Sequence, residues 1–293
     1  MPELTQKHIE DWISTIKGTF DIKDLWFEFN IRENSAKKKS RTYLSRCEEK
    51  ELLVYLGGNK YRKKDDKKIP VPWQIADPDN YINLKYPFGI EEYALIYPRN
   101  IVIVAGLKQA GKTEFLYEFI KMNMDKFDIE LFNSETGPEQ MHDRFNNLGI
   151  PETFTSVYER YSNFADVIDP DKISVIDYLD MNSEHYLVGV EIDQIFQTLR
   201  NGVAIIGMQI PPPSKTIVRG VEKLVDRDYA YGGGSTAKRA FIYISMLSGR
   251  KLKLKHVKKP ANPKINPENM MWTYSIDEIG MFCNIQRYYG DSL

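Results

Sequence analysis

Apolar residues recur with helical spacing near the start of the chain. Ile9, Trp12, Ile13 and Ile16 fall on one face of a helix predicted over residues 6–17. A second short helix is predicted in DIKDLWFEF, with Asp21 as its N-cap. A third is predicted in SAKKKSRTYLSRCEEKELL, with Ser35 as cap. Two short runs then flank Gly57, Gly58 and Asn59, which is hairpin chemistry. Pro70, Pro72 and Pro78 read as a linker. Beyond it the rhythm changes. The apolar runs 101–106, 128–135, 173–179 and 202–210 alternate with helical stretches over 113–125, 137–149 and 184–201. Buried strands separated by helices predict a mostly parallel sheet covered on both faces. Three later runs, 240–247, 251–259 and 271–277, have no helices between them and predict an antiparallel extension. Trp272, Tyr274 and the Met270-Met271 pair read as strand core and packing.

This divides the 293 residues into a first domain, 1–75, and a second, 76–293. Three helices and a basic hairpin resemble a winged-helix domain, on pattern alone. The second domain reads as α/β.

Charge sharpens the division. The chain as a whole carries −1, which by itself disfavours a nucleic-acid binder. Yet Glu33 to Ile69 holds twelve Lys or Arg against six Asp or Glu. Lys37, Lys38, Lys39, Arg41 and Arg62 are therefore candidates for phosphate contacts, with a solvated charged face or a protein-docking module as the alternatives. Two cysteines, Cys47 and Cys283, and four histidines supply neither a disulfide frame nor a metal-ligand spacing. No apolar run is long enough for a membrane span, and no leader pattern is visible, so a cytoplasmic protein is expected.

The chemistry concentrates at Gly106-Leu-Lys-Gln-Ala-Gly111-Lys112-Thr113. This matches G-x-x-x-x-G-K-[ST], after a predicted strand and before a predicted helix. Glycines let backbone N–H groups turn inward around phosphates, and the helix N-terminus adds its positive dipole end. Gly106, Lys108, Gln109, Ala110, Gly111, Lys112, Thr113 and Glu114 are thus expected around ATP. Lys112 would reach the β- and γ-phosphates and Thr113 would face Mg²⁺. A second carboxylate for that ion is expected at the end of a buried strand, at Asp177, with Asp180 competing. Glu135, in LFNSET, could orient the attacking water or merely cap a helix.

Together these residues resemble the RecA-like ATPase core, especially its DnaB-type helicase and KaiC/RadA-like branches. The resemblance spans roughly residues 85–280 and includes the lead-in PFGIEEYALIYPRN. It implies that Glu135 is the catalytic glutamate and that Gln209, ending AIIGMQI, senses the γ-phosphate. Tyr231-Gly-Gly-Gly-Ser-Thr-Ala-Lys-Arg239 is similar to the Gly-rich turn that follows the DNA loop. The long connection 211–231, with Lys215, Arg219 and Lys223, occupies that loop's position. The family's Lys-x-Arg pair, acting on a neighbour's ATP, has no Arg counterpart; Lys258 and Lys259 stand in its place, or belong to a solvated edge strand. The resemblance implies a homo-oligomeric ring or filament acting on single-stranded DNA in replication or recombination. An ATP-dependent assembly switch or regulator is the alternative.

Overall fold

The computed structural model describes residues 4–66, 68–179, 187–218 and 221–290. Two compact units are present, Met1–Ala76 and Asp77–Leu293.

In the first unit, helices α1 (Gln6–Thr15), α2 (Ile22–Glu28) and α3 (Asn34–Glu49) accompany strands β1 (Thr19–Asp21), β2 (Leu53–Gly57) and β3 (Lys60–Lys63). The strands form an antiparallel sheet ordered β1-β3-β2. Asp21 caps α2 through a capping box, its side chain accepting from the Lys23 amide while Asp24 accepts from the Asp21 amide. Ser35 does not cap α3. The helix begins one residue before it, with Glu33 at the N-cap, and the Ser35 hydroxyl donates to the Glu33 carboxylate at 3.4 Å. Ser40, Leu44 and Cys47 form the buried stripe of α3 and pack toward Ile9, Ile13, Leu25 and Leu53. Lys38, Lys39 and Arg41 lie on its exposed side, whereas Lys37 is half-buried over the Trp26 ring at 4.9 Å, with Arg41 also over that ring at 5.3 Å.

The second unit is built on nine strands in the order β14-β13-β12-β11-β4-β8-β7-β5-β6. The parallel part comprises β4 (Ile101–Gly106), β5 (Ile129–Asn133), β6 (Val157–Glu159), β7 (Ile173–Asp177), β8 (Val203–Gln209) and β11 (Ala240–Leu247). Every residue of β4, β5 and β7 is buried, as expected of strands covered on both faces. Helix α4 (Lys112–Asn123) packs against β4, β7 and β8, and helices α5 (Pro138–Leu148) and α6 (Val188–Thr198) follow β5 and β7. This is a RecA-like core, its phosphate-loop strand between β11 and β8 and one strand removed from β7.

The late strands differ from expectation in one respect. β11 is not antiparallel; it runs parallel to β4, and the connection from β8 serves as its crossover. That connection holds a two-stranded ribbon, β9 (Ser214–Val218) with β10 (Val221–Val225), and the short helix α7 (Gly234–Ala237). The antiparallel extension begins at β12 (Lys251–Val257) and continues through β13 (Met271–Ile276) and β14 (Phe282–Tyr288). Trp272 and Tyr274 are indeed buried in it. Among the described residues, no helix is long and apolar enough to cross a membrane.

Candidate nucleotide site

Four strand ends line up along one edge of the sheet. Gly106 pairs with Gln209, Ile206 with Ile176, and Asp177 with Asn133. The C-terminal ends of β4, β8, β7 and β5 therefore converge, which is where open α/β sheets bind ligands. A cleft of about 500 Å³ opens there, lined by Lys108, Gln109, Gly111, Lys112, Thr113, Glu114, Glu135 and Gln209. The strand carrying Glu135 ends two residues earlier than expected, at Asn133, and Glu135 sits exposed in the turn beyond it.

The loop from Gly106 to Gly111 closes tightly. Gly111 has φ +100°, and a Cβ there would lie 2.6 Å from Ile276 Cδ1. A Cβ on Gly106 would lie 2.8 Å from Lys112 Cγ and 3.1 Å from Met246 Cβ. Both positions exclude side chains, one of them twice over. Lys112 opens α4, and its ammonium donates to the Leu107 carbonyl at 3.3 Å. Burial lowers its pKa, while Glu135, Asp177 and Glu114 pull it back up.

Asp177 is fully buried at the cleft floor. Its Oδ1 accepts from the Thr113 hydroxyl at 3.3 Å, and its Oδ2 has no hydrogen-bond partner. Burial pushes its carboxyl up to about 6, with the Thr113 hydrogen bond opposing and Glu135 adding to the rise. An ionised carboxylate held this way costs on the order of 3 kcal/mol relative to water. Such an orphaned oxygen beside a hydroxyl, under a phosphate-sized cradle, fits a divalent cation that also binds phosphate. Among the described residues no three His, Cys, Asp or Glu side chains form a metal site without a ligand's help.

The sign of this shift has a measurable consequence. A carboxyl whose folded pKa is raised favours the fold when protonated, so its contribution is lost as pH rises from about 4 to 6. Asp177→Asn is expected to raise the thermal midpoint of the nucleotide-free protein by several degrees at pH 7. The gap between variant and wild type should widen from pH 4 to 6 and stay flat above. Urea midpoints for both proteins across that range measure it; a gap independent of pH would remove the buried charge as its cause.

Several residues that frame the cleft carried no signal in the sequence. Arg250, in the turn after β11, donates to the Gln109 carbonyl at 3.0 Å. Tyr274 donates its hydroxyl to the Ala110 carbonyl at 2.6 Å, and burial holds its phenol up at about 12. Arg144, on α5, pairs with Glu114 at 3.4 Å. They reach the loop from distant segments, and only their place after folding reveals them.

Other expected residues lie elsewhere. Lys258 and Lys259 follow β12, which runs antiparallel to β11, and so sit at the end of the sheet opposite the cleft. Lys215, on β9, is exposed and pairs with Glu222 at 2.9 Å. Arg219 and Asp180 fall outside the described residues, as does the side chain of Lys223. Arg62, on β3, donates to the Lys63 carbonyl at 3.3 Å.

No protein-family model matches the sequence, and no curated protein matches it. Among solved structures, the chain is similar to the ATPase domain of a DnaB helicase, at 16% identity and a TM-score of 0.45, over 65% of this chain and 86% of that one. It is also similar to the RadB recombinase, at 14% identity and a TM-score of 0.43, over 63% of this chain and 90% of that one.

Proposed function

We propose that the second unit hydrolyses ATP and couples hydrolysis to single-stranded DNA, in a replication or recombination role. The observation that carries this reading is the convergence of Lys112, Thr113, Asp177, Glu135 and Gln209 on one cleft at the strand ends. Gly106–Thr113 would cradle the triphosphate with backbone N–H groups and the α4 N-terminus. Thr113 and Asp177 would hold Mg²⁺, whose charge, when bound, offsets that of the phosphate oxygens. Glu135, exposed at the cleft wall, accepts the proton of the attacking water, and Gln209 reads the γ-phosphate from the end of β8.

Two surfaces support a strand-binding partner. The β9–β10 ribbon leaves the sheet directly after Gln209, so a change at the γ-phosphate has a short path to Lys215. The first unit offers Lys38, Lys39 and Arg41 on one face of α3 in a helix-and-hairpin arrangement of winged-helix type. Lys258 and Lys259, remote from their own cleft, would act on a neighbouring copy in a ring or filament.

ATPase rate with and without single-stranded DNA, at two salt concentrations, tests the reading. The expected result is a DNA-stimulated rate and binding that weakens steeply with salt. A rate indifferent to DNA, with no salt-sensitive binding, would favour an ATP-dependent assembly switch whose first unit docks a protein.

A further inference from the structure

Glu135 stands in a turn with little behind it. The segment 133–137 forms a wall between the nucleotide cleft and a second groove of about 390 Å³ lined by Met141, Val157, Tyr158 and Tyr161. Glu135 and Thr136 border both cavities. With open space on two sides, packing alone does not fix the position of the carboxylate. Hydrogen bonds from within the turn do.

Asn133 is buried, and its side chain folds the turn around itself. Its Oδ1 accepts from the Thr136 amide at 3.0 Å and from the Glu135 amide at 3.3 Å, while its Nδ2 donates to the Thr136 carbonyl at 2.6 Å. Ser134 ties the same turn to the end of the neighbouring strand. Its amide donates to the Asp177 carbonyl at 2.8 Å. Its hydroxyl accepts from the Tyr178 amide at 3.1 Å and lies 2.9 Å from the Tyr178 carbonyl. The turn that carries Glu135 is thus referenced directly to the backbone that carries Asp177.

We propose that Asn133 and Ser134 are positioning residues for hydrolysis: they hold the Glu135 carboxylate in register with Asp177 and Thr113 without touching the nucleotide themselves. This rests on the reading of Glu135 as the residue that accepts the water's proton. A hydrolytic base must keep its place to within about an ångström, and misplacement on that scale costs up to about a hundredfold in rate. Replacing Asn133 by alanine leaves two amides and a carbonyl without their partner, and the turn relaxes into the open space beside it.

The test is a double-mutant cycle on the full-length chain, with kcat, KM for Mg·ATP and affinity for a fluorescent ATP analogue measured for each protein. Asn133→Ala is expected to lower kcat by roughly ten- to a hundredfold while KM and analogue affinity stay within about twofold. In a Glu135→Gln background the same substitution should cost nothing further, because the group it positions is already gone. Ser134→Ala removes one oxygen from a half-buried site, and it should show the same pattern at smaller size; it carries the test if Asn133→Ala does not fold. If Glu135→Gln is slow but Asn133→Ala and Ser134→Ala turn over normally, the positioning role is wrong and the assignment of Glu135 stands. Losses that add to those of Glu135→Gln, or that fall on KM, overturn the proposal as well. A fully active Glu135→Gln would instead remove the reading on which it rests.

Discussion

Lys112→Ala is expected to lower hydrolysis by at least a hundredfold and to weaken ATP binding. The reason lies in where the ammonium is kept. Lys112 is half-buried at the head of α4, with its stem against Gly106 and its Nζ on the Leu107 carbonyl. Burial lowers its pKa, so the folded protein holds a cation there against its solvation preference. Three carboxylates, Glu135, Asp177 and Glu114, are near enough to offset that cost. A fixed charge in a site of this kind acts on charge developing in the transition state, and loss of one such contact is worth roughly a hundred- to a thousandfold in rate. Phosphate release over time and equilibrium binding of a fluorescent ATP analogue measure the two effects. Thermal stability of the unliganded variant should not fall, because what is removed is a desolvated amine. A variant hydrolysing at the wild-type rate would sink the assignment of the 106–113 loop.

Glu135→Gln is the second large effect, and it should look different. The substitution keeps shape and hydrogen bonding but removes the ability to accept a proton. Binding of Mg·ATP is expected to be retained, while kcat falls by about a hundred- to ten-thousandfold. The other cleft carboxylates cannot substitute. Asp177 is buried beneath Thr113, and Glu114 is paired with Arg144. Single-turnover hydrolysis of prebound ATP separates chemistry from binding and release; rapid turnover there would move the base elsewhere.

The two variants draw on very different amounts of sequence information. The phosphate loop was legible because everything that makes it lies within eight consecutive residues. Two glycines sit where no side chain fits, and a lysine and a threonine open the helix. Asp177 was legible as the polar end of an all-apolar run. Glu135 was named correctly as a cleft residue, but the strand was extended through it. The strand stops at Asn133 because that side chain claims the next two amides, and an asparagine between strand and turn gives no local sign of which it will join.

The frame of the site was not legible at all. Arg250, Arg144 and Tyr274 reach the loop from the β11–β12 turn, α5 and β13, and each looks ordinary in its own segment. Tyr274 satisfied the expectation of a strand-core aromatic while also donating to the loop. The β9–β10 ribbon was hidden behind Pro211, Pro212 and Pro213, which read as a loop and in fact precede a strand. β14 was missed because it is an edge strand with several exposed positions, so it lacks the alternation that marks a half-buried one. Ser35 failed as a cap because an adjacent residue took the position, a one-residue matter that pattern does not decide.

The brace formed by Tyr274 and Ile276 bears on how the site comes into being. The hydrogen bond from Tyr274 to Ala110 spans 164 residues of chain, and Ile276 lies against Gly111 from almost as far. Contacts of such long range form only after the intervening chain has been ordered, since their loop-closure entropy must be met first. On a ribosome, the glycine-rich loop emerges long before the strand that secures it. The nascent unit therefore holds its most recognisable motif in an unfinished state through most of its synthesis, and it becomes competent for nucleotide only once β13 has been made and added to the sheet.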